Sequence, residues 1–150
     1  MAALSIKLDF TKFSQDLQHR VAKLHDKEYL LRPVATELIH MMTERIHQKG
    51  LASDGGQIGT YSSGYMRTRE KYNRGKDTKV IIALTSQLEN DWAVIATDKG
   101  YGIGFLNPHN FDKSQWVEAT YQKKIFQLTE AESQYAKERF DELIKDALNS

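Results

Sequence analysis

The stretch DWAVIATDKGYGIGF (Asp91–Phe105) decides the fold class of this 150-residue chain. Two short runs of strand-forming residues, Asp91–Thr97 and Tyr101–Phe105, flank the tripeptide Asp98-Lys99-Gly100. An aspartate followed closely by a glycine is typical of a tight turn between paired strands. The stretch therefore predicts an antiparallel β-hairpin.

Two further segments are candidates to join this hairpin in one sheet. KVIIALT (Lys79–Thr85) precedes it and has the composition of a buried strand. LSIKLDF (Leu4–Phe10) alternates apolar and polar residues, which is the period of a half-buried strand, and predicts an edge strand. The sequence therefore predicts a small antiparallel β-meander of about three to four strands.

Apolar residues recur at helical spacing before the predicted sheet. One stripe predicts a helix over 13–24, and a second predicts a helix from near Glu28 to a C-cap at Gly50. Pro33 is expected in the first turn of that second helix, because a proline further along removes a helical hydrogen bond.

Two more helices are predicted after the hairpin. Asp112 is expected to cap a helix whose apolar residues include Trp116 and Tyr121. Thr129 and Glu132 have the spacing of a capping box, which opens the last helix. The predicted fold is α+β, with about four helices packed on the sheet in a single domain over 1–150.

The segment 50–79 is predicted to be one long loop, because apolar periodicity is absent from it. Its central part, GGQIGTYSSGYMRTREKYNRGK (Gly55–Lys76), holds five of the nine glycines, three tyrosines and five basic residues against one acid. Its expected contact residues for a partner or neighbouring subunit are Tyr61, Tyr65, Arg67, Arg69, Lys71, Tyr72, Arg74 and Lys76. The composition suits nucleic-acid binding, docking on an acidic protein, or a merely solvated loop, and the residues alone leave these readings open.

Composition excludes several classes of site. The chain has no cysteine, so it carries no disulfide, zinc-thiolate site or thiol nucleophile. Its formal net charge is +1, so any attraction to nucleic acid must be local. No apolar run approaches the roughly 20 residues of a membrane span, and MAALSIKLDF lacks signal-peptide features, so a soluble protein without membrane contact is expected.

Two glycine-containing stretches resemble nucleotide cradles only in part. Gly75-Lys76 has Glu70 where a phosphate-binding loop needs its first glycine, and this carboxylate would repel phosphate. The run Gly100–Gly104 lies in a predicted strand, without a helix N-terminus to receive a pyrophosphate. No cofactor is therefore expected.

Metal and catalytic sites are not predicted either. Glu37–His40 and Glu44–His47 both match E-x-x-H, but two copies seven residues apart on one helix are separated by about 10 Å and cannot share a cluster. They are interpreted as the polar flank of a helix. No hydrolase motif occurs, and Ser62 and Ser63 lie in the predicted loop. An enzyme with a mobile loop over His109 stays open as an alternative.

The order of these features resembles small head–tail connector or tail-completion proteins of tailed bacteriophages, a group also described as minor tail, neck or virion-morphogenesis proteins. The resemblance is carried by TERIHQKGLASDGGQIGTYSSGYMRTR (Thr43–Arg69), VIIALTSQLENDWAV (Val80–Val94), GYGIGF (Gly100–Phe105) and KSQWVEATYQKKIFQLTEAESQYAKERFDELI (Lys113–Ile144). Similar proteins often have Thr-Gly where this chain has Thr85-Ser86.

This resemblance implies a non-enzymatic virion protein, made in the host bacterial cytoplasm and assembled into the neck or tail. It implies a ring of six or twelve subunits between portal, adaptor and tail proteins, with loops that contact neighbouring subunits and with passing contact to DNA. The alternative that stays open is a small nucleic-acid-binding protein that uses the basic segment 67–79.

Overall fold

The computed structural model describes residues 11–83, 86–97 and 100–149, and its fold is α+β. The helices are α1 (Thr11–His25), α2 (Lys27–Thr43, continued by a π-helical turn Glu44–Gln48), α3 (Ser63–Glu70), α4 (Gln87–Asp91), α5 (Pro108–Tyr121) and α6 (Glu130–Asn149). The strands are β1 (Trp92–Thr97) and β2 (Gly100–Phe105). The predicted class is confirmed, and α3 and α4 are short helices that the sequence patterns did not predict.

The predicted hairpin is confirmed. Strands β1 and β2 pair antiparallel, with Trp92 opposite Phe105 and Val94 opposite Ile103. The rings of Trp92 and Phe105 lie 4.8 Å apart, and Phe126 joins them at 5.6 and 5.4 Å. Asp98 and Lys99, the predicted turn residues, lie outside the described residues.

The prediction of a meander with three to four strands is wrong for the part of the chain that the structure describes. Within 79–83, pairing is limited to an isolated bridge between Lys79 and Thr60. The next residues bend away, since Ile82 has a φ of +50° that no strand can contain. Side chains, not a neighbouring strand, bond the backbone there. Leu4–Phe10, the predicted edge strand, lies outside the described residues.

The predicted first two helices are confirmed, with one correction. Asp26 caps α2 by accepting from the N–H groups of Glu28 and Tyr29 at 2.9 and 3.3 Å. Pro33 lies inside α2 and not in its first turn, so that prediction is wrong. The helix continues through the lost bond because its next turns are buried, for example at Val34.

Of the last two helices, α6 begins where the sequence predicts and α5 does not. Helix α5 begins at Pro108, not at Asp112, because the Asn107 side chain accepts from the N–H of His109 at 2.9 Å and proline needs no donor at the first position. The capping box of α6 is confirmed: the Glu132 N–H donates to Thr129 Oγ1 at 3.0 Å, and the Thr129 N–H donates to Glu132 at 2.9 Å.

Two apolar clusters form the core. One joins the end of α2 to the segment 50–80 and to Ile125, and its buried members are Met42, Ile46, Ala52, Ile58, Tyr61, Val80 and Ile125. The other lies between α2 and α6, and its buried members are Leu30, Val34, Leu38 and Leu143. Ile103 of β2 packs against both clusters, so the sheet connects them.

Arg45 connects three parts of the chain. Its side chain is buried, and its Nε donates to Glu132 Oε1 at 2.7 Å. Nη1 donates to the carbonyls of Leu51 and Ile125 at 3.0 and 3.1 Å, and Nη2 donates to the carbonyl of Gln127 at 2.9 Å. This one guanidinium therefore fixes the start of the segment 50–79 against the approach to α6.

We predict that Glu132→Gln lowers the free energy of unfolding by about 3–5 kcal/mol, because it leaves the buried Arg45 cation without its counter-charge. The matched control is Glu142→Gln on the same helix, whose carboxylate is exposed and pairs with Arg139 at 3.2 Å; its expected effect is within about 0.5 kcal/mol. Urea unfolding of both variants provides the measurement. Equal effects of the two substitutions would contradict the role assigned to Arg45.

Candidate docking groove

A groove of about 750 Å³ opens beside α5 and is the candidate functional site. Its described lining residues are Tyr61, Ser62, Tyr65, Val80, Ile82, Ala83, Ser86, Gln87, Leu88, Lys113, Trp116, Val117, Thr120 and Tyr121. Four aromatic rings and several aliphatic side chains thus share the groove with a few polar groups. This size and composition are typical of surfaces that bind another molecule.

Part of the apolar lining is open to solvent. Trp116 is 59% exposed and Tyr65 is 39% exposed, although both carry large rings. Leu106 and Phe111, at and just before the start of α5, are 68% and 54% exposed. Exposed large apolar side chains that line one cavity, as Trp116 and Tyr65 do, mark interaction surfaces.

A buried arginine lies beneath the groove. Arg69 is 1% exposed, and its guanidinium lies 4.1 Å from the centre of the Tyr61 ring. Nη1 donates to the carbonyl of Ala83 at 2.6 Å, and Nε donates to the carbonyl of Arg74 at 3.1 Å. No ion pair between described residues includes Arg69, so its charge is balanced by dipoles and by the ring.

The wall over this arginine has a strained backbone. Ile82 has a φ of +50°, which is costly for a β-branched residue. The N–H groups of Ile81 and Ile82 both donate to the hydroxyl oxygen of Tyr61 at 3.1 Å. These bonds hold the wall in a conformation that sequence preferences alone do not favour.

His47 supports the same wall from inside the protein. Its ring is buried, and Nδ1 lies 3.2 Å from the carbonyl oxygen of Ile81. Because a carbonyl only accepts, the Nδ1–H tautomer fits this contact. Burial lowers the pKa of His47 below its ordinary value, while the carboxylate of Glu89, 3.9 Å from Nδ1, acts in the opposite direction. His47 is therefore neutral at neutral pH.

The rim of the groove is basic. Lys113 Nζ donates to Gln87 Oε1 at 2.7 Å, and Arg74 Nη2 donates to Ser86 Oγ at 3.2 Å. Ser86 has a φ of +60°, the left-handed conformation that glycine adopts most easily. None of the described residues that line the groove is an aspartate or glutamate.

The segment 50–79, predicted to be one long loop, is mostly irregular, and it is folded onto the core. It contains α3, which Ser62 caps by accepting from the Tyr65 N–H at 3.2 Å. It also forms isolated bridges between Leu51 and Gln57 and between Thr60 and Lys79. The few apolar side chains of the segment, such as Ile58, are buried, but too few and too irregularly spaced to give a periodic signal.

The predicted contact residues of this segment divide into two groups. Tyr61 and Arg69 are buried within the chain, although Tyr61 lines the groove, and partner contact by these two residues stays a prediction. The exposed group comprises Tyr65, Arg67, Lys71, Tyr72 and Lys76, and Arg74 is half-buried. For these residues partner contact stays a prediction.

Sequence patterns missed the α5 side of the groove. Trp116 and Tyr121 were predicted only as apolar residues of this helix. With Val117 they span about 140° of its circumference, which is wider than the narrow apolar stripe of many helices. That width was the available signal for an exposed ring. No sequence signal pointed to Gln87 and Ser86, which bond Lys113 and Arg74 at the rim.

The E-x-x-H residues are interpreted above as the polar flank of a helix. Two of them, Glu37 and His47, also bond other parts of the fold, and His47 is buried. Glu37 accepts from Arg139 Nε at 3.1 Å and from the hydroxyl of Tyr135 at 2.8 Å, which joins α2 to α6. His47 supports the groove. His40 is exposed, and Glu44 pairs with a lysine at 2.9 Å. Among residues 11–83, 86–97 and 100–149, no cluster of potential metal ligands occurs.

Two remaining predictions concern the glycine run of the hairpin and His109. The glycines of Gly100–Gly104 lie in β2, where they were expected. His109 is exposed in the first turn of α5, beside Trp116, with 6.1 Å between the ring centres.

In the described part of the chain, no helix is long and apolar enough to cross a membrane. Comparison of the chain with protein-family models, with curated proteins and with solved structures finds no match.

The buried, neutral state of His47 predicts a pH dependence of stability. Its folded-state pKa lies below the unfolded value of about 6.5, so the unfolded chain binds the proton first as the pH falls. The stability that this group contributes is complete above about pH 7.5 and is lost as the pH falls through about 6.5.

Urea unfolding between about pH 7.5 and pH 5, above the range in which carboxylates titrate, measures this effect. The variant His47→Asn keeps an N–H donor for the Ile81 carbonyl but cannot be protonated, so it is expected to lose less stability over that range. The same loss in both proteins would contradict the assignment to His47.

Proposed function

We propose that this chain is a non-enzymatic structural subunit of a ring-shaped head–tail connector or tail-completion assembly in a tailed bacteriophage. The observation that carries the proposal is the aromatic groove, in which the Trp116 ring is 59% exposed. Such a surface is stabilised when a neighbouring protein covers it. The sequence resembles phage connector proteins, and this resemblance is the reason for placing that neighbour in a connector assembly.

Polar groups of the groove support docking more than chemistry. The hydroxyl of Ser62 caps α3, and the hydroxyl of Ser86 accepts from Arg74. Lys113 is bonded to a side-chain amide. These three polar groups therefore have structural partners, and neither serine is bonded to a base as a nucleophile would be.

A second exposed apolar area supports a ring rather than a simple dimer. Leu17 and Val21, one turn apart on α1, are 50% and 41% exposed, and Leu148 at the end of α6 is 45% exposed. Arg20, between them on α1, donates to the carbonyl of Leu148. In a cyclic ring, one patch of each subunit meets a different patch of the next, and the groove and this α1/α6 patch provide two such surfaces.

The proposed place of action is the virion neck or tail, after synthesis in the host bacterial cytoplasm. Portal, adaptor or tail proteins are the proposed neighbours above and below the ring. The formal net charge of +1 suits a channel through which DNA passes, since a strongly basic lumen would bind phosphates.

Native mass spectrometry at several protein and salt concentrations tests this proposal. The expected result is a closed ring of about six or twelve subunits, as heterologous interfaces close into rings. Trp116→Ala is expected to shift the mass towards single chains, because it removes the central ring of the groove. The matched control is Leu128→Ala, which changes an apolar side chain of 40% exposure outside the groove. Single chains at every concentration would contradict a self-assembling ring.

Nucleic-acid binding is the second candidate, favoured by exposed Arg67, Lys71 and Lys76 with Tyr72 51% exposed among them. It requires an affinity that falls steeply with added salt. The double variant Arg67→Ala with Lys71→Ala, measured by titration of single-stranded DNA, separates it from the ring proposal. Arg69 is not a suitable target, because its buried side chain holds the groove wall.

A further inference from the structure

We infer that the groove binds an acidic segment of a partner protein, anchored by a large apolar side chain that packs against Trp116. This inference deepens the proposed function, and it relies on that function only for the partner being a protein. Three features of the groove support it: positive charge without a carboxylate partner, an exposed aromatic lining, and a wall that is held in place before binding.

Three cations surround the groove without a carboxylate partner among the described residues. Arg69 lies beneath the Tyr61 ring, Lys113 lies on the rim, and Arg74 reaches the rim through Ser86. None of the three takes part in an ion pair between described residues. The three positive charges act together on an anion bound in the groove, so a carboxylate is favoured there over a neutral group.

Positive charge continues beyond the groove, which favours a peptide over a small anion. The segment Tyr61–Lys79 contains six basic and two acidic residues. Arg67, Lys71 and Lys76 are exposed on it, in and after α3, whose N-terminal end borders the groove. A single small anion would use one of these cations, whereas an acidic segment of several residues can use the series.

The aromatic lining supplies the anchor site. Trp116 and Tyr65 are both exposed and both line the same cavity of about 750 Å³. Tryptophan, tyrosine and arginine are the residues that dominate binding energy at protein interfaces. A phenylalanine or leucine of the partner, placed between acidic residues, would meet the rings while the carboxylates face the cations.

The wall of the groove is organised without a ligand. Tyr61, His47 and Arg69 bond the backbone of three consecutive residues, 81–83, so this wall does not need to order on binding. A preorganised surface loses less conformational entropy when a partner binds.

Calorimetric titration of the full chain tests the inference with two synthetic peptides. One is a short peptide of glutamate, leucine and a single phenylalanine, and the other has lysine in place of every glutamate. The expected result is binding of the acidic peptide alone, with an affinity that falls as salt is added.

Three variants then locate the binding. Lys113→Glu and Trp116→Ala are each expected to weaken binding of the acidic peptide by about tenfold or more, as for charge reversal and for loss of a hot-spot ring. Trp116→Phe, which keeps a ring, is expected to retain most of the affinity. The matched control is Lys137→Glu on α6, an exposed lysine away from the groove, and it is expected to change affinity little.

Several results would overturn the inference. They are equal binding of both peptides, binding of neither, or equal effects of Lys113→Glu and Lys137→Glu. If benzoate displaces the acidic peptide and binds as tightly as the peptide does, the groove is instead assigned to small aromatic anions. The ring proposal is judged separately by native mass, and the titrations use a concentration at which only single chains exist, because a neighbouring subunit covers the groove in the ring. Single chains that bind the acidic peptide but never assemble contradict the ring alone. Assembly into a ring without peptide binding by the single chains contradicts this inference alone.

Discussion

The buried guanidinium of Arg45 is the interaction on which the rest of this fold depends. It bonds Glu132 at the start of α6, one carbonyl at the start of the segment 50–79, and two carbonyls in the connection between α5 and α6. A planar group with five donors can bond several chain segments at once, which an ammonium group cannot do as well. The segment that follows α2 therefore leaves the helix in a fixed direction and packs back onto the core.

Arg69 repeats this arrangement closer to the surface. It too is buried and bonds backbone carbonyls, with the Tyr61 ring against its face. Together Arg69 and Tyr61 hold residues 81–83 in a backbone conformation with positive φ at Ile82, where a strand was expected. Because side chains and not a neighbouring strand bond residues 81–83, these residues form a wall of the groove beside α5. The same guanidinium leaves positive charge beneath aromatic rings, and this combination of charge and rings is the basis for the proposed acidic partner.

Sequence patterns predicted the parts of the fold that local physical chemistry determines. The hairpin followed from its turn residues, and the start of α6 followed from the Thr129–Glu132 capping box. The groove could not be predicted in this way, because it depends on contacts between residues distant in sequence, such as Lys113 with Gln87. Basic residues of the glycine-rich segment were all read as surface residues, since charge in a non-periodic stretch usually is solvated. Burial of Arg69 becomes visible only once its tertiary partners, Tyr61 and Ala83, are known.

The central claim is that the segment 50–83 is ordered within a single chain by these two arginines and by Tyr61, before any partner binds. Hydrogen exchange of the Ile81 and Ile82 amides, measured on the isolated chain at a concentration where only single chains exist, tests it most directly. Both amides donate to the Tyr61 hydroxyl, so slow exchange that accelerates in Tyr61→Phe is the predicted result. Exchange of both amides at the rate of an unstructured peptide would show instead that the segment orders only upon assembly, and would contradict the account.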